Sequence, residues 1–482
     1  KRRVWTKPEI LRFPWPRASG FSEFMYRRET ADARCFRNEA VSRLEPRKGI
    51  LGELLALEES TLSKVRAGIG KVKASRDVSV YTGGPGLAYC LVKAASLRGA
   101  EGSEDLLAEA ASILQTHEHI VTMEAQRQPE VCCSLLCGKA GWLCMEALRA
   151  HVAGQAVSAG QAAKAYLGLA ITARSRQVQA DEWLYGRAGY LHGMLLLRRV
   201  LGKGAVPDGE LMSLAETIIS NGSAFARRSG SGSPLMWAFF GDQYIGAAHG
   251  VFGIIHMLLH VDAVVRQSSH RRLLVATLDW LLSIRTSRGN WPAVCGEGSD
   301  HLVHFCHGAP GAVLTLCKAY EVLGESRFLK AAVDAGEFVW RYGLLRKGPG
   351  LCHGIAGNGY VFLTLFRTTN DSQWLARAYH FASTMLRDDI VRASQIPDNP
   401  LSLFEGLAGT ACFLLDLRLA PEAATFPLFE VGGFSLAAAE GDGSAVSVVP
   451  AATSQRRAES ETELSLCKAH DWIMIPTASW HN

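Results

Sequence analysis

Two short segments of the sequence combine residue types that bind transition metals. Cys306-His307 and Cys352-His353 each stand directly before a glycine. Thiolate sulfur and imidazole nitrogen are ligands that zinc prefers in proteins. Either pair alone could be a buried cysteine beside a surface histidine, but two equivalent pairs at equivalent places favour a metal centre.

Such a centre would keep one coordination position open. Nothing near the two pairs completes a set of four cysteines, or of three cysteines and one histidine, because Cys295 and Cys317 are out of phase with the pairs. Three protein ligands with an open fourth position are typical of catalytic zinc, whereas structural zinc has four protein ligands. The spacing therefore points to chemistry at the metal.

The two pairs belong to an element that recurs along the chain. A Gly-x-x-Gly followed by an apolar run occurs seven times, spaced from 46 residues (Gly308 to Gly354) to 64 residues (Gly186 to Gly250). One such turn has no diagnostic value, but seven of them indicate a structural repeat. The first glycines are Gly83, Gly138, Gly186, Gly250, Gly308, Gly354 and Gly406.

The repeat predicts an all-α fold, an (α/α)7 barrel (toroid) of seven helical hairpins with GxxG turns. The run behind each turn, such as residues 142–149, is apolar nearly all round, as in a helix covered on both sides. Stretches such as 104–115 and 328–340 are amphipathic instead. Arranged radially, the hairpins give an inner and an outer ring of helices. An open solenoid is the alternative, but the end units show no polar caps.

The ends of the chain differ from this repeat. Residues 1–45 form an irregular, Arg-rich N-terminal segment, residues 46–431 the barrel, and residues 432–482 a tail rich in Gly, Ala, Ser and Glu. We expect the tail to be disordered and dispensable for the fold.

Composition excludes several classes of protein. With 48% hydrophobic and 20% charged residues the chain is not intrinsically disordered, and a net charge of +5 gives no sign of a nucleic-acid partner. The apolar runs are far shorter than the roughly 20 residues of a membrane span. Twelve dispersed cysteines are typical of reduced core residues, so we expect a cytoplasmic protein.

Four segments, together with the seven turns, resemble the lanthionine synthetase C-like (LanC-like) family of the eukaryotic type. The resemblance covers roughly residues 50–431. It implies an (α/α)7 barrel with one zinc per chain, bound by Cys306, Cys352 and His353, and with His307 beside the site. The segments are His304-Phe-Cys-His-Gly-Ala-Pro-Gly311, Gly350-Leu-Cys-His-Gly354, Gly246-Ala-Ala-His-Gly250 and Ser402-Leu-Phe-Glu-Gly406.

The resemblance also implies an activity. Bacterial members cyclise lantibiotic peptides, and eukaryotic members add glutathione to dehydroamino acids in damaged proteins. This chain would then be a zinc-dependent enzyme that adds the glutathione thiol to dehydroalanine or dehydrobutyrine residues of proteins or peptides. His249 matches the family's proton donor, with a rim histidine bonded to a helix end as the alternative. His307 is the other residue assigned to the catalytic site, beside the metal or facing the substrate. Glu182 is a further candidate acid at the rim, although a solvated carboxylate is the favoured interpretation of this residue.

Glutathione contacts carry over from the family only in part. Lys347 matches a lysine that pairs with a glutathione carboxylate, and Asp398 could accept from the glutathione amine. Gln395 stands where some relatives have arginine, which removes one charged contact. Arg392, three residues earlier, could substitute for that arginine.

Two other functions remain open at this stage. A glutathione-binding signalling or receptor module would keep the metal without a proton donor. Relatives have been proposed as hormone receptors or kinase partners at membranes. Kinase association and peripheral attachment to the plasma membrane therefore belong to this alternative. A carbohydrate-active toroid would need two carboxylates across the mouth, and only Glu405 is clearly at a turn.

Overall fold

The computed structural model describes residues 31–38, 49–99, 102–128 and 131–434. Within these residues the chain is helical, and its β structure consists of isolated bridges. In chain order the helices are α1 (Ala31–Arg34), α2 (Ile50–Ala67), α3 (Ile69–Ala74), α4 (Gly84–Arg98), α5 (Ser103–Arg127), α6 (Lys139–Val152), α7 (Ala156–Leu167), α8 (Ala170–Arg174), α9 (Arg187–Leu201), α10 (Asp208–Ser229), α11 (Val251–Leu259), α12 (Asp262–Arg266), α13 (Ser268–Ser283), α14 (Ala309–Leu323), α15 (Ser326–Tyr342), α16 (Ile355–Thr369), α17 (Ser372–Thr384), α18 (Asp388–Ala393) and α19 (Leu407–Leu419), followed by a 3-10 turn at Pro421–Ala423.

Seven helices form a closed inner ring. Each one begins at a Gly-x-x-Gly turn and packs against the next in chain order, and the last packs against the first. Their apolar character follows from this position, since every residue of α11 is buried. Closure of the ring excludes the open solenoid and confirms the predicted toroid. The inner helices are α4, α6, α9, α11, α14, α16 and α19.

An outer layer of amphipathic helices covers the inner ring. Helices α5, α7, α10, α15 and α17 each pack on the inner helix that precedes them, and in the fourth unit the short α12 contacts both α11 and α13. Helix α15 shows the amphipathic pattern: it buries Phe328, Ala332 and Val339 and leaves Lys330 exposed. The seventh inner helix, α19, is covered by α2 from the start of the barrel. The first and last helices of the barrel sequence therefore pair to complete the seventh unit.

The repeated glycines are explained by close backbone contacts. A Cβ on the second glycine of any turn would lie 1.7–2.3 Å from the carbonyl oxygen of the residue six positions earlier. No side chain fits at such a distance, so each inner helix begins against the loop that leads into it. Among the first glycines, Gly308 also has a φ of +109°, which L side chains rarely adopt.

The chain after α19 returns into the barrel and forms its floor. The Trp183 indole donates to the carbonyl of Leu428 at 3.0 Å, and the Phe429 ring lies 4.9 Å from Phe305 and 4.3 Å from His256. These contacts place Phe429 against Phe305, the residue before Cys306, and Leu428 against Trp183.

The predicted boundary of the tail falls within this floor segment. Lys93 Nζ donates to the carbonyl of Gly433 at 3.3 Å, and Phe434 packs edge-on against Tyr89. Residues 432–434 therefore contact the barrel, and the rest of the predicted tail, 435–482, lies outside the described residues.

Part of the N-terminal segment is also ordered against the barrel. The backbone of residues 34–36 pairs with residues 344–346, with an antiparallel bridge between Cys35 and Leu345. Asn38 Nδ2 donates to the carbonyl of Trp340 at 2.7 Å. Composition gave no signal of this pairing; residues 1–30 and 39–48 lie outside the described part of the chain.

None of the helices described above combines the length and the apolar character that crossing a bilayer requires.

Candidate functional site

The rim of the barrel is a ring of linked backbone segments. The residue two positions before the first glycine of each turn bonds to its counterpart in the next turn, through N–H···O distances of 2.8–3.4 Å at six of the seven junctions. At the remaining junction, between the second and third turns, the Ser134 hydroxyl donates to the Leu184 carbonyl at 2.9 Å. The linked residues are Tyr81, Leu136, Leu184, Ala248, Cys306, Cys352 and Phe404.

This ring explains why the two cysteines meet. Cys306 and Cys352 occupy the same position of adjacent turns, and the Cys306 amide donates to the Cys352 carbonyl at 3.4 Å. Both thiols are buried, and the sulfur atoms and one ring nitrogen of His353 lie within 4.8 Å of one another. Among the described residues this is the only group of three or more Cys, His, Asp or Glu side chains close enough to hold one metal ion.

The donor set fits zinc. Burial raises the pKa of the Cys352 thiol, the adjacent Cys306 thiol raises it further, and His353 opposes both effects. Two neutral thiols in an apolar site have little to bind, whereas a divalent cation would stabilise both as thiolates. The geometry therefore supports the predicted ligands Cys306, Cys352 and His353.

The residues that directly precede the first glycines carry the other reactive groups. At three consecutive turns this residue is a histidine, and the two flanking turns carry a tyrosine and a glutamate. The position thus lines one arc of the mouth with ionisable side chains. In ring order they are Tyr185, His249, His307, His353 and Glu405.

His249 is held by a buried carboxylate. Its Nδ1 lies 3.1 Å from Glu182 Oε2, and the Glu182 side chain is only 2% exposed. The same carboxylate accepts the backbone N–H groups of Leu184 at 2.7 Å and Tyr185 at 2.6 Å. The interpretation of Glu182 as a solvated rim carboxylate was therefore wrong. An ionised carboxylate only accepts hydrogen bonds, so His249 Nδ1 carries the proton of this contact.

His307 lies between His249 and the metal ligands. Its ring centroid is 6.1 Å from that of His249, and the side chain is buried. Burial, together with the nearby His249 and His353, lowers the pKa of His307 to about 3. His307 is consequently a neutral imidazole at physiological pH.

Tyr81 is a candidate that the sequence analysis missed. Its hydroxyl is buried without a hydrogen-bond partner among the described residues, and its ring stacks on Phe404 at 4.9 Å. Burial raises the pKa of Tyr81, and the neighbouring Cys352 adds to this effect. The repeat could have identified it, because Tyr81 stands two residues before the first glycine of its turn, as the two cysteines do in theirs.

An aromatic wall around His249 was also missed. Phe239 stacks on the imidazole at 4.9 Å with an interplanar angle of 7°, Tyr185 lies parallel at 6.0 Å, and Tyr244 is tilted at 5.6 Å. Only Tyr185 stands at a turn position, so the repeat alone could not identify the other two rings.

The predicted glutathione contacts lie on two neighbouring loops. The backbone N–H of Gln395 donates to the Arg346 carbonyl at 2.7 Å, which places the 395–398 loop beside half-buried Lys347. Gln395 and Asp398 are exposed at this edge. Arg392 is exposed as well, and its guanidinium lies 3.7 Å from Asp388.

Comparison with known proteins gives consistent matches. A sequence model described as "Lanthionine synthetase C-like protein" matches residues 74–431. "Glutathione S-transferase LANCL1" of Danio rerio is 33% identical over 384 residues, covering 79% of this chain and 90% of that protein. "LanC-like protein GCL1" of Arabidopsis thaliana is 35% identical over 371 residues, covering 74% and 82%.

A solved structure extends the likeness to the fold. The structure titled "Nisin cyclase" superposes with a TM-score of 0.55 at 15% identity, covering 75% of this chain and 94% of that one. At this identity the match bears on the fold alone.

Proposed function

Because the chain belongs to the lanthionine synthetase C-like family, we propose that it is a zinc-dependent enzyme that adds the thiol of glutathione to dehydroalanine or dehydrobutyrine residues of proteins or peptides. The observation that carries the proposal is one arc of the rim. Cys306, Cys352 and His353 meet there in the fifth and sixth turns, and the adjacent fourth turn carries His249 with its carboxylate partner Glu182. Glutathione as the thiol is supported by the name of the Danio rerio relative.

The metal site would generate the nucleophile. Zinc bound by Cys306, Cys352 and His353 would lower the pKa of a thiol at its open position, which otherwise stays mostly protonated at neutral pH. The protein's part is to keep this position accessible and fixed. The linked rim holds the backbone of both cysteines, and Phe429 of the floor segment packs against Phe305, the residue before Cys306.

The second half of the reaction is a proton transfer. As the sulfur–carbon bond forms at the β-carbon, the carbon–carbon π bond of the dehydroamino residue breaks, and the α-carbon must gain a proton. The Glu182 carboxylate engages His249 Nδ1, so Nε2 is the nitrogen assigned to deliver that proton. Glu182 is itself fixed by two backbone N–H groups, which keeps the ring oriented.

His307 has a different part in this proposal. As a neutral, buried imidazole it can donate one hydrogen bond and accept another without changing its charge. Its position between His249 and the metal ligands suits it to orient the attacking sulfur and the acceptor carbonyl.

The thiol substrate would be held at the neighbouring edge of the mouth. In this proposal Lys347 pairs with a glutathione carboxylate, and Asp398 accepts from its amine. Gln395 offers an amide in place of a charge, so we expect weaker glutathione binding than an arginine at 395 would give. A reducing compartment, the cytoplasm, fits both glutathione and the absence of disulfides among the described residues.

The deciding experiment separates proton transfer from binding. General acid–base assistance contributes about 10²–10⁴-fold, so His249→Ala should lose addition to a dehydroalanine peptide by that factor while keeping zinc and glutathione binding. Cys306→Ala should lose both binding and addition. His119→Ala, on the exposed face of α5, is the matched control.

The other outcomes decide between enzyme and binding module. If His249→Ala reacts at the wild-type rate, the imidazole does not supply the proton. If wild-type protein binds glutathione but never modifies a dehydroamino peptide in a mass-spectrometric assay, the chain is a glutathione-binding module and the enzymatic proposal fails.

A further inference from the structure

The segment before the His249 turn contains a tight reversal of the chain. Phe239 N donates to the Asp242 carbonyl at 2.9 Å, and Asp242 N donates back to Phe239 at 3.1 Å. The two residues between them both have positive φ, +50° at Phe240 and +89° at Gly241. This is the pattern of a type I′ turn, in which both central positions are left-handed.

The first central residue is an unusual choice for that turn. Asn, Asp and Gly dominate it, because a Cβ followed by a bulky side chain disfavours positive φ. Among the described residues only Phe240, Asn370 and Leu428 combine a side chain with positive φ. Asn370 caps a helix, where asparagine is common, and Leu428 lies in the buried floor segment. Only for Phe240 does the local structure give no explanation of the positive φ.

The strained residue presents its ring beside the proposed proton donor. The Phe240 ring lies 4.1 Å from Phe239, which in turn stacks on His249 at 4.9 Å and on Tyr185 at 5.7 Å. Yet 46% of Phe240 remains exposed, so nearly half of its surface is left uncovered by packing within the chain. Strained residues concentrate at functional sites, where the surroundings hold a side chain that the backbone would not choose.

We propose that Phe240, with Phe239 behind it, binds an apolar or aromatic side chain of the acceptor polypeptide next to its dehydroamino residue, and so sets the sequence preference of the enzyme. This inference rests on the proposed function. The α-carbon to be protonated belongs to the acceptor and must come to His249. Neighbouring residues of an extended peptide lie only about 3.3–3.6 Å apart along the chain, so flanking side chains reach the aromatic pair.

Glutathione does not suit this surface. It carries two carboxylates, an amine and no apolar side chain. Its expected contacts also lie elsewhere on the ring: Lys347 follows the fifth turn and Asp398 precedes the seventh, whereas Phe240 precedes the fourth turn. An aromatic face with open apolar area favours another apolar group. The acceptor is therefore the ligand that matches the ring.

The test compares two acceptor peptides that differ in one flanking residue. Both carry a single dehydroalanine, one beside leucine or phenylalanine and the other beside serine. An aromatic contact contributes about 3–10-fold in affinity, so the ratio of kcat/KM between the apolar and the serine peptide should fall by roughly that factor in Phe240→Asn. Ile171→Asn, at an exposed apolar residue of α8, should leave the ratio unchanged.

Stability distinguishes this role from a packing role. Asparagine accepts positive φ better than phenylalanine, so Phe240→Asn should melt at the same temperature as wild type or higher. A ring needed only to hold the loop would instead make the variant melt lower, with an unchanged substrate ratio; that pair of results would overturn the proposal. A loss of glutathione affinity in Phe240→Asn would overturn it too, because the ring would then serve the thiol.

Binding of unreactive peptides separates this inference from the proposed function. In these peptides alanine replaces dehydroalanine, and affinity is followed by calorimetry with glutathione present. If wild type modifies nothing yet binds the apolar peptide more tightly than the serine peptide, and Phe240→Asn abolishes the difference, the binding surface stands while the enzymatic proposal fails. If wild type is active with equal preference for both peptides, this inference fails alone.

Discussion

Around the mouth of the barrel the backbone repeats while residue identity changes. The position directly before the glycine is threonine, cysteine and tyrosine in the first three turns and histidine in the next three. The scaffold therefore supplies equivalent places, and the side chains concentrate reactivity in one arc. A metal centre arises where two adjacent places carry cysteine, because the linked rim brings those two residues into contact.

Loss of one ligand should empty the metal site. We expect Cys352→Ala to lose stoichiometric zinc, because two remaining ligands rarely hold zinc against competition. Metal analysis of the purified variant measures this directly, and Cys317→Ala, a buried cysteine of α14, is the control that should keep its zinc. Retention of one zinc per chain in Cys352→Ala would refute the ligand assignment. The barrel should stay folded in both variants.

The residues of the site could be predicted where the repeat marked them. The two Cys-His pairs and His249 stand at turn positions, and the structure brings them to one arc. Glu182 was misjudged because burial depends on how the fourth turn closes over the third, which no local pattern encodes. Phe239 and Tyr244 were missed because they stand eleven and six residues before Gly250, outside the short motif that marks each turn.

At the scale of the elements, the turn glycines decide whether the rim can form. The sequence identified them as a set because they recur seven times, and the structure shows that each second glycine lies against a carbonyl oxygen of the loop before it. Nothing in the pattern predicted how the seventh hairpin is completed, because α2 and α19 are separated by nearly the whole barrel sequence. The N-terminal pairing at Cys35 is likewise a long-range contact without a local signal.

Gly357→Ala should disturb both the barrel and the metal site. A Cβ there would lie 1.7 Å from the Leu351 carbonyl oxygen, so the loop that carries Cys352 must move. We expect a loss of several kcal/mol of stability, since overpacking alone costs about 1–3 kcal/mol, together with weakened zinc binding. Differential scanning calorimetry and metal titration would measure the two effects.

The matched control is a glycine with free space around it. A Cβ on Gly70, in α3, meets nothing within 4 Å, so Gly70→Ala should be neutral or stabilise by about 0.5–1 kcal/mol. Equal melting temperatures for both alanine variants would show that the turns tolerate a side chain.

At the scale of the whole molecule, the inner ring encloses polar residues that the site does not use. His192 in α9 and His256 in α11 stand six residues after their first glycines, at equivalent levels of neighbouring inner helices. Both are buried, and neither ring nitrogen of His192 has a hydrogen-bond partner among the described residues. Burial lowers the pKa of His192 to about 3.

These histidines should make the barrel sensitive to mild acid. Between pH 6.5 and 3 the unfolded chain binds a proton at His192 that the folded chain does not, so stability falls as the pH falls through this window. From pH 6.5 to 5 the loss from this one residue is about 2 kcal/mol. His192→Leu should therefore show a smaller drop in melting temperature between pH 7 and pH 5 than wild type. An equal drop would show that His192 is protonated or solvated in the folded protein.

The C-terminal floor provides the last test of how the molecule is built. Ending the chain after Phe434 removes only residues outside the described part, and we expect the melting temperature to stay within a few degrees. Ending it before Ala424 should cost far more. It removes Phe426 and Phe429 from beneath Phe305, and each buried phenylalanine contributes about 3–5 kcal/mol.

The shorter chain also loses a charge partner. Glu430 forms an ion pair with Arg367, so that partly buried guanidinium would be left without its carboxylate partner. A chain ended after Val431 lies between these cases, because it keeps Glu430 and loses the contacts of Gly433 and Phe434. If all three truncated proteins melt together with wild type, the floor does not support the barrel, and the closed ring of inner helices is sufficient by itself.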